Sequence, residues 1–207
     1  IACVSFTRKA AQESRDRVCL DMNLQEDMLP YFQTLHSMAF RSGGYKFDDV
    51  VTGRDFGIIG RAVGLSFTTS NKKAGESDFD IIGYSQGDAY ISVYQTSRSL
   101  MRPLEDCFME AENYDLHWTE LVRLVEAYED YKKVKKKIDF TDMIEDFVLR
   151  DDPPNLDALF VDEAQDLSTV QWSMVNVLRK TPKFQIFTGD DDQAIMGFQG
   201  ADVNAFL

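Results

Sequence analysis

Cationic side chains are scarce in this sequence: its 207 residues carry 22 Lys and Arg against 35 Asp and Glu, a formal net charge of −13. Phosphate contacts are made mainly by Lys and Arg and dominate nucleic-acid affinity, which excludes a basic footprint over the whole surface. A local basic strip on an acidic body stays open, as does a charge balance restored by polypeptide outside these residues. Cysteine is almost as scarce. Cys3, Cys19 and Cys107 are odd in number, scattered and outside metal-ligand spacing, so a disulfide framework is excluded and free thiols in a reducing compartment are expected. No window approaches the roughly 18 to 20 uninterrupted apolar residues that span a bilayer, and the N-terminus lacks the regions of a signal peptide. These absences predict a soluble, cytoplasmic protein with no membrane partner. An initiating Met is missing too: the chain opens at Ile1 directly in an apolar run, which reads as a start inside a domain.

Apolar residues are plentiful. A hydrophobic fraction of 44% with 12% aromatics suffices for one substantial core and a smaller appended unit. The richest stretch is Leu156 to Ala201, where one apolar run ends in Val161-Asp162-Glu163-Ala164-Gln165-Asp166 and a second ends in Thr188-Gly189-Asp190-Asp191-Asp192-Gln193. Both acidic clusters follow a predicted strand, Leu156 to Val161 and Lys183 to Phe187. Ligands of open α/β sheets bind beyond the carboxyl ends of the strands, so two neighbouring acid-tipped strands predict one shared site. Side chains alternate along a strand, so Asp162 and Glu163 point in different directions and can take different roles. One can hold a hydrated Mg²⁺, a hard cation that prefers oxygen, while the other orients or deprotonates an attacking water.

Ile1 to Phe6 reads as a short buried strand, and Thr7 can cap a polar helix from Arg8 to Leu20. Free N–H groups there, beside Arg8 and Lys9, suit either a phosphate or a solvated helix face. Thr34, His36 and Ser37 lie between a predicted strand and a helix, where a histidine is more often simply hydrogen-bonded. From Arg41 to about Ala111 the glycines and the polar Thr68 to Asp78 stretch signal loops and short elements. Asp88 would cap a helix toward Met101, although Ile91 and Val93 also permit a strand. Trp118, Leu121, Val122 and Val125 predict an amphipathic helix from Asp115 to about Lys137. Its lysine-rich end complements the helix dipole better than it argues for nucleic-acid contact. A further helix runs from Met143 to Leu149, Pro153-Pro154 forces a turn, and Ser168 caps a helix through Gln171, Trp172, Val175 and Leu178.

Taken together, these motifs resemble the ATP-dependent DNA helicases of the UvrD, Rep and PcrA type in superfamily one. Val161 to Asp166 is similar to the family's Asp-Glu-x-Gln-Asp pattern, and Gly189 to Ala201 to its Gly-Asp-x-x-Gln-x-Ile-x-x-Phe-x-Gly-Ala pattern. Phe6 to Ala11, Thr34 to Ser37 and Ile138 to Asp142 resemble three more of its segments, in the family's order. The resemblance implies an α/β fold: a RecA-like, mostly parallel sheet flanked by helices. Residues 1–40 and 138–207 would be part of a first motor domain, and 41–137 a mainly helical insertion. It implies ATP and Mg²⁺ as cofactors, with Asp162 binding the metal through water, Glu163 as general base, and Gln193 sensing the γ-phosphate. Gln165 would join them at the nucleotide. Phe6, Thr7, Arg8, Lys9, Thr34 and His36 would touch single-stranded DNA, with Phe198 stacking on a base. Partners would be single-stranded DNA, single/double-strand junctions and a second motor domain of the same parent chain.

Departures from the family pattern qualify these expectations. None of the 12 glycines is followed by Lys, so no Gly-x-x-x-x-Gly-Lys-Ser/Thr loop is present to cradle phosphates. Met196 stands where the family has Tyr and Gln199 where it has Arg, positions that bear on coupling between nucleotide and DNA. The expected function is part of a helicase that translocates 3′ to 5′ and unwinds duplex, with residues 1–207 inactive alone. Two alternatives remain: a non-catalytic DNA-binding or assembly module, and the motor subunit of a helicase-nuclease complex.

Overall fold

Four short runs of apolar residues pair into one sheet: Ala2–Ser5 (β1), Phe32–Thr34 (β2), Ala158–Asp162 (β3) and Phe184–Phe187 (β4). All pairings are parallel, and the order is β2-β1-β3-β4. The computed structural model describes residues 1–68, 85–111 and 115–190. Cys3 lies opposite both Phe32 and Phe160, and Ser5 opposite both Thr34 and Asp162, so three strands end level with one another.

Two crossover helices set the direction of the sheet. Helix α1 (Arg8–Met22) carries the chain from β1 to β2, and α8 (Thr169–Leu178) carries it from β3 to β4 on the other side. Right-handed crossovers that advance in opposite directions put their helices on opposite faces. Accordingly Ser14 of α1 reaches the Cys3 thiol, while Trp172 of α8 stacks on Phe187, which shares a face with Val161 and Val4. The strand order reverses between β1 and β3. Local chemistry fixes the helix starts: Thr7 Oγ1 accepts from Ala10 N, Thr34 Oγ1 accepts from Ser37 N to open α2 (Leu35–Ser42), and Ser168 and Gln171 form a reciprocal capping box. Ala2, Val4, Leu35, Leu159, Val161 and Leu178 are among the buried residues of this core.

This sheet unit takes in Ile1–Tyr45 and the described residues from Asp142 on; Lys46–Thr141 forms a second compact unit. Its described helices are α3 (Gly53–Val63), α4 (Gln86–Ser99), α5 (Leu104–Glu110) and α6 (Trp118–Lys135), around a core of Ile59, Tyr90, Ile91, Leu121, Leu124 and Tyr128. A single parallel bridge, Val50 to Ile138, joins its two ends. Helix α7 (Phe140–Arg150) then leads on toward β3.

Several sequence expectations need correction here. The span from Arg41 to Ala111 is more regular than its glycines suggested, since α3, α4 and α5 occupy much of it. The stretch with Ile91 and Val93 is helical, and its N-cap is Ser85, with Asp88 three residues inside the helix bonding back to Ser85 Oγ at 2.6 Å. Helix α6 begins at Trp118 rather than Asp115. Among the described residues no helix is long and apolar enough to cross a membrane.

Candidate functional site

The parallel sheet brings three of the sequence motifs, those after β1, β2 and β3, to one edge. Each strand's C-terminal residue faces that edge, so Thr34, Ser5 and Asp162 stand side by side across β2, β1 and β3. Phe6 to Lys9, His36 and Glu163 follow immediately on the same chain segments. The reversal of strand order between β1 and β3 opens the crevice in which doubly wound sheets bind their ligands. It lies between Ser5 and Asp162.

Asp162 and Glu163 differ in environment, though not through strand alternation, because β3 ends at Asp162. Asp162 Oδ1 accepts from the Thr188 hydroxyl at 2.9 Å, and Thr188 in turn donates its N–H to Val161 O at 2.8 Å. These bonds tie the end of β3 to the residue after β4. Glu163 leaves the strand in the left-handed region at φ 54°, which costs a residue with a β-carbon on the order of 1 kcal/mol. Its carboxylate is exposed, and Oε2 accepts from Gln165 Nε2 at 2.7 Å. Gln165 and Ala164 are buried, so the exposed acid stands on a fixed base. Asp166 is tucked further in, with Oδ1 buried and unpartnered; burial, and then the charge of Glu163, raise its pKa above the ordinary carboxylate range. Burial, and then the charge of Asp162, push the Cys3 thiol up to about 11 against a hydrogen bond from Ser14, so Cys3 stays protonated. None of the three cysteines is in a disulfide.

The remaining candidates divide by exposure. Thr7, Arg8 and Lys9 are exposed on the first turn of α1, and Phe6 and His36 are half-buried. Thr34 is buried, its hydroxyl shared between Ser37 N at 3.2 Å and Ser37 Oγ at 2.9 Å, so it shapes the start of α2. Lys9 lies 3.9 Å from Glu13 in an exposed i,i+4 pair, a weak tie that leaves its ammonium solvated. Gln193 and Phe198, like Met196 and Gln199, lie outside the described residues.

In the second unit two of the five lysines of the basic run, Lys132 and Lys137, are structural. Lys132 is 4% exposed; its ammonium donates to Asp139 Oδ2 at 2.8 Å and sits 4.9 Å from the Tyr128 ring centre. Asp139 Oδ2 also accepts from Arg98 Nη1 and Tyr128 Oη, making a hub that joins α4, α6 and the start of α7. Lys137 donates to Val50 O and Asp55 Oδ2. Lys133, Lys135 and Lys136 are exposed. Sequence reasoning marked Asp139 only as part of a motif. Its spacing of seven from Lys132 and 41 from Arg98 shows why the pairing was not legible.

A parallel sheet that reverses its order beside an acid-tipped central strand, with crossover helices on both faces, defines a RecA-like α/β domain. The chain belongs to the UvrD/REP helicase N-terminal domain family, whose sequence profile matches residues 1–207. It is 27% identical over 219 residues to the ATP-dependent DNA helicase PcrA of Bacillus subtilis, covering 100% of this chain and 28% of that protein. Against PcrA of Leuconostoc citreum the identity is 25% over 218 residues, again 100% of this chain and 28% of the relative. PcrA of Staphylococcus epidermidis is 26% identical over 216 residues, 100% of this chain and 29% of its own length. The chain therefore spans less than a third of the curated relatives it matches.

Proposed function

We propose that this chain is part of an ATP-dependent DNA helicase, coupling ATP hydrolysis to 3′-to-5′ movement along single-stranded DNA and to separation of duplex at single/double-strand junctions. The observation that carries this reading is the shared edge at which Ser5, Thr34 and Asp162 end level, with Phe6 to Lys9 and Glu163 directly after them. Acid chemistry and DNA-contacting groups on one rim allow a change at the nucleotide to be felt at the strand. Membership of the helicase family supports the same assignment.

In this reading Asp162 holds Mg²⁺ through water. The available donors fit such an ion: they are the Asp162 carboxylate and the Thr188 hydroxyl beside it, both oxygen. When bound, the ion neutralises charge on the β- and γ-phosphates of ATP. Glu163 accepts a proton from the attacking water as general base. Gln165 takes part at the nucleotide through Glu163, and Gln193 contacts the γ-phosphate. Phe6, Thr7, Arg8, Lys9, Thr34, His36 and Phe198 form the track for single-stranded DNA, in which stacking on Phe198 tolerates any base. The second unit is the helical insertion of the motor domain.

The 207 residues contain no Gly-x-x-x-x-Gly-Lys-Ser/Thr, so this reading needs a phosphate-cradling loop and a second motor domain from elsewhere in the parent protein. Residues 1–207 alone are accordingly predicted not to turn over ATP. A second reading is a non-catalytic DNA-binding or assembly module. The complete protein separates the two: the helicase reading expects ATPase activity stimulated by single-stranded DNA, and strand separation on 3′-tailed but not 5′-tailed duplexes. DNA binding without ATPase activity would favour the non-catalytic module.

A further inference from the structure

The side-chain amide of Gln165 is enclosed, with the residue 2% exposed, and both of its ends are used. Nε2 donates to Glu163 Oε2 at 2.7 Å, and Oε1 accepts from the backbone N–H of Asp190 at 3.2 Å. A backbone N–H can only donate and an ionised carboxylate can only accept, so the two partners fix which way round the amide sits. A flip would set carbonyl oxygen against carboxylate and NH₂ against N–H. Gln165 thus joins the turn after β3 to the segment after β4, beside the backbone bond from Ala164 N to Thr188 O at 2.9 Å. Gln165 is also the only hydrogen-bond partner of the Glu163 carboxylate among the described residues. An exposed Glu on a flexible stem would otherwise sample several rotamers.

We propose that Gln165 is a positioning residue, which holds the Glu163 carboxylate in register with the segment that starts at Thr188, and is not itself a contact for the nucleotide. The proposal rests on reading Glu163 as the general base. Three observations carry it: the burial of Gln165, the complementary polarity of its two partners, and the attachment of Asp190 to the segment that leads in sequence to Gln193. A base fixed in this way reaches its water only when the segment after β4 is in place.

Two near-isosteric variants of the complete protein test the proposal. Gln165→Glu keeps an acceptor for Asp190 N–H but sets a like charge against Glu163; Gln165→Met keeps the volume and loses both bonds. With saturating single-stranded DNA, each is expected to lower kcat on the order of 10- to 100-fold, the cost of a misplaced catalytic group. KM for ATP is expected to stay within about twofold, because ground-state binding is untouched. Wild-type kcat in both single variants would overturn the proposal. So would a raised KM at constant kcat, which makes Gln165 a nucleotide contact. Normal turnover by Glu163→Gln itself would instead remove the base, and with it the reading on which the proposal stands.

Discussion

Asp55 contributes to the acid sensitivity of the second unit. It is 5% exposed on α3, where its carboxylate accepts from Tyr131 Oη at 2.6 Å, from Thr52 N and Oγ1 at 2.7 Å each, and from Lys137 Nζ at 3.2 Å. Burial alone would raise its pKa, but these hydrogen bonds outweigh it and hold the carboxyl below the ordinary Asp value. An acid with a depressed folded pKa stabilises the fold above its unfolded pKa and loses that contribution as pH falls through the folded value. Wild type is therefore expected to unfold at higher denaturant than Asp55→Asn near neutrality, with the two midpoints converging below about pH 4. Equal midpoints at every pH would contradict this assignment. Because β3 ends at Asp162 and Glu163 turns left-handed, their divergence comes from that turn and not from strand alternation; the acid pair itself was legible in the sequence. The bridge made by Gln165 was not, since its partner Asp190 is 25 positions away and arrives only when β3 and β4 pair.

At the scale of elements, α3 shows where sequence reading and structure part. Gly53, Gly57 and Gly60 made the region look like loop, yet Thr52 and Asp55 form a capping box at its start and the helix runs to Val63. That box was the signal available in the sequence. The glycines are not equivalent. A β-carbon at Gly60 would lie 2.5 Å from Leu65 O, so its absence permits the close return of the chain after the helix, whereas Gly57 faces open space. Gly57→Ala is expected to stabilise the protein by about 0.5–1 kcal/mol through helix propensity. Gly60→Ala is expected to destabilise it despite the same gain in propensity. Paired urea-unfolding curves check both signs, and a shift in the same direction for both variants would contradict the packing argument. The sheet elements were easier to read. Their continuous apolar runs suit a parallel sheet covered on both faces, and the crossover helices announced themselves through Thr7 and Ser168 caps. Strand β4 is the exception: Phe184 is 69% exposed and Ile186 48%. Its apolar run predicted the strand and carried no information on its exposure.

For the whole molecule, the net charge of −13 decides how DNA can be held. An acidic body repels the phosphate backbone, so binding on the proposed track must be local and salt-sensitive. Arg8 is exposed at the start of α1, where backbone N–H groups point the same way. Replacing it with Ala in the complete protein is expected to weaken single-stranded DNA binding uniformly across sequences. The slope of log affinity against log salt should become shallower by about 0.7, the share of one phosphate contact on a single strand. An unchanged slope would remove Arg8 from the track. Sequence motifs located this rim because those after β1, β2 and β3 follow parallel strands, and parallel strands deliver their successors to one edge. In the proposed helicase the edge after β3 hydrolyses ATP through Glu163. The most direct test of that role is ATP binding and hydrolysis measured side by side on Glu163→Gln in the complete protein: binding is expected to persist while DNA-stimulated turnover is abolished, and turnover at the wild-type rate would contradict the account.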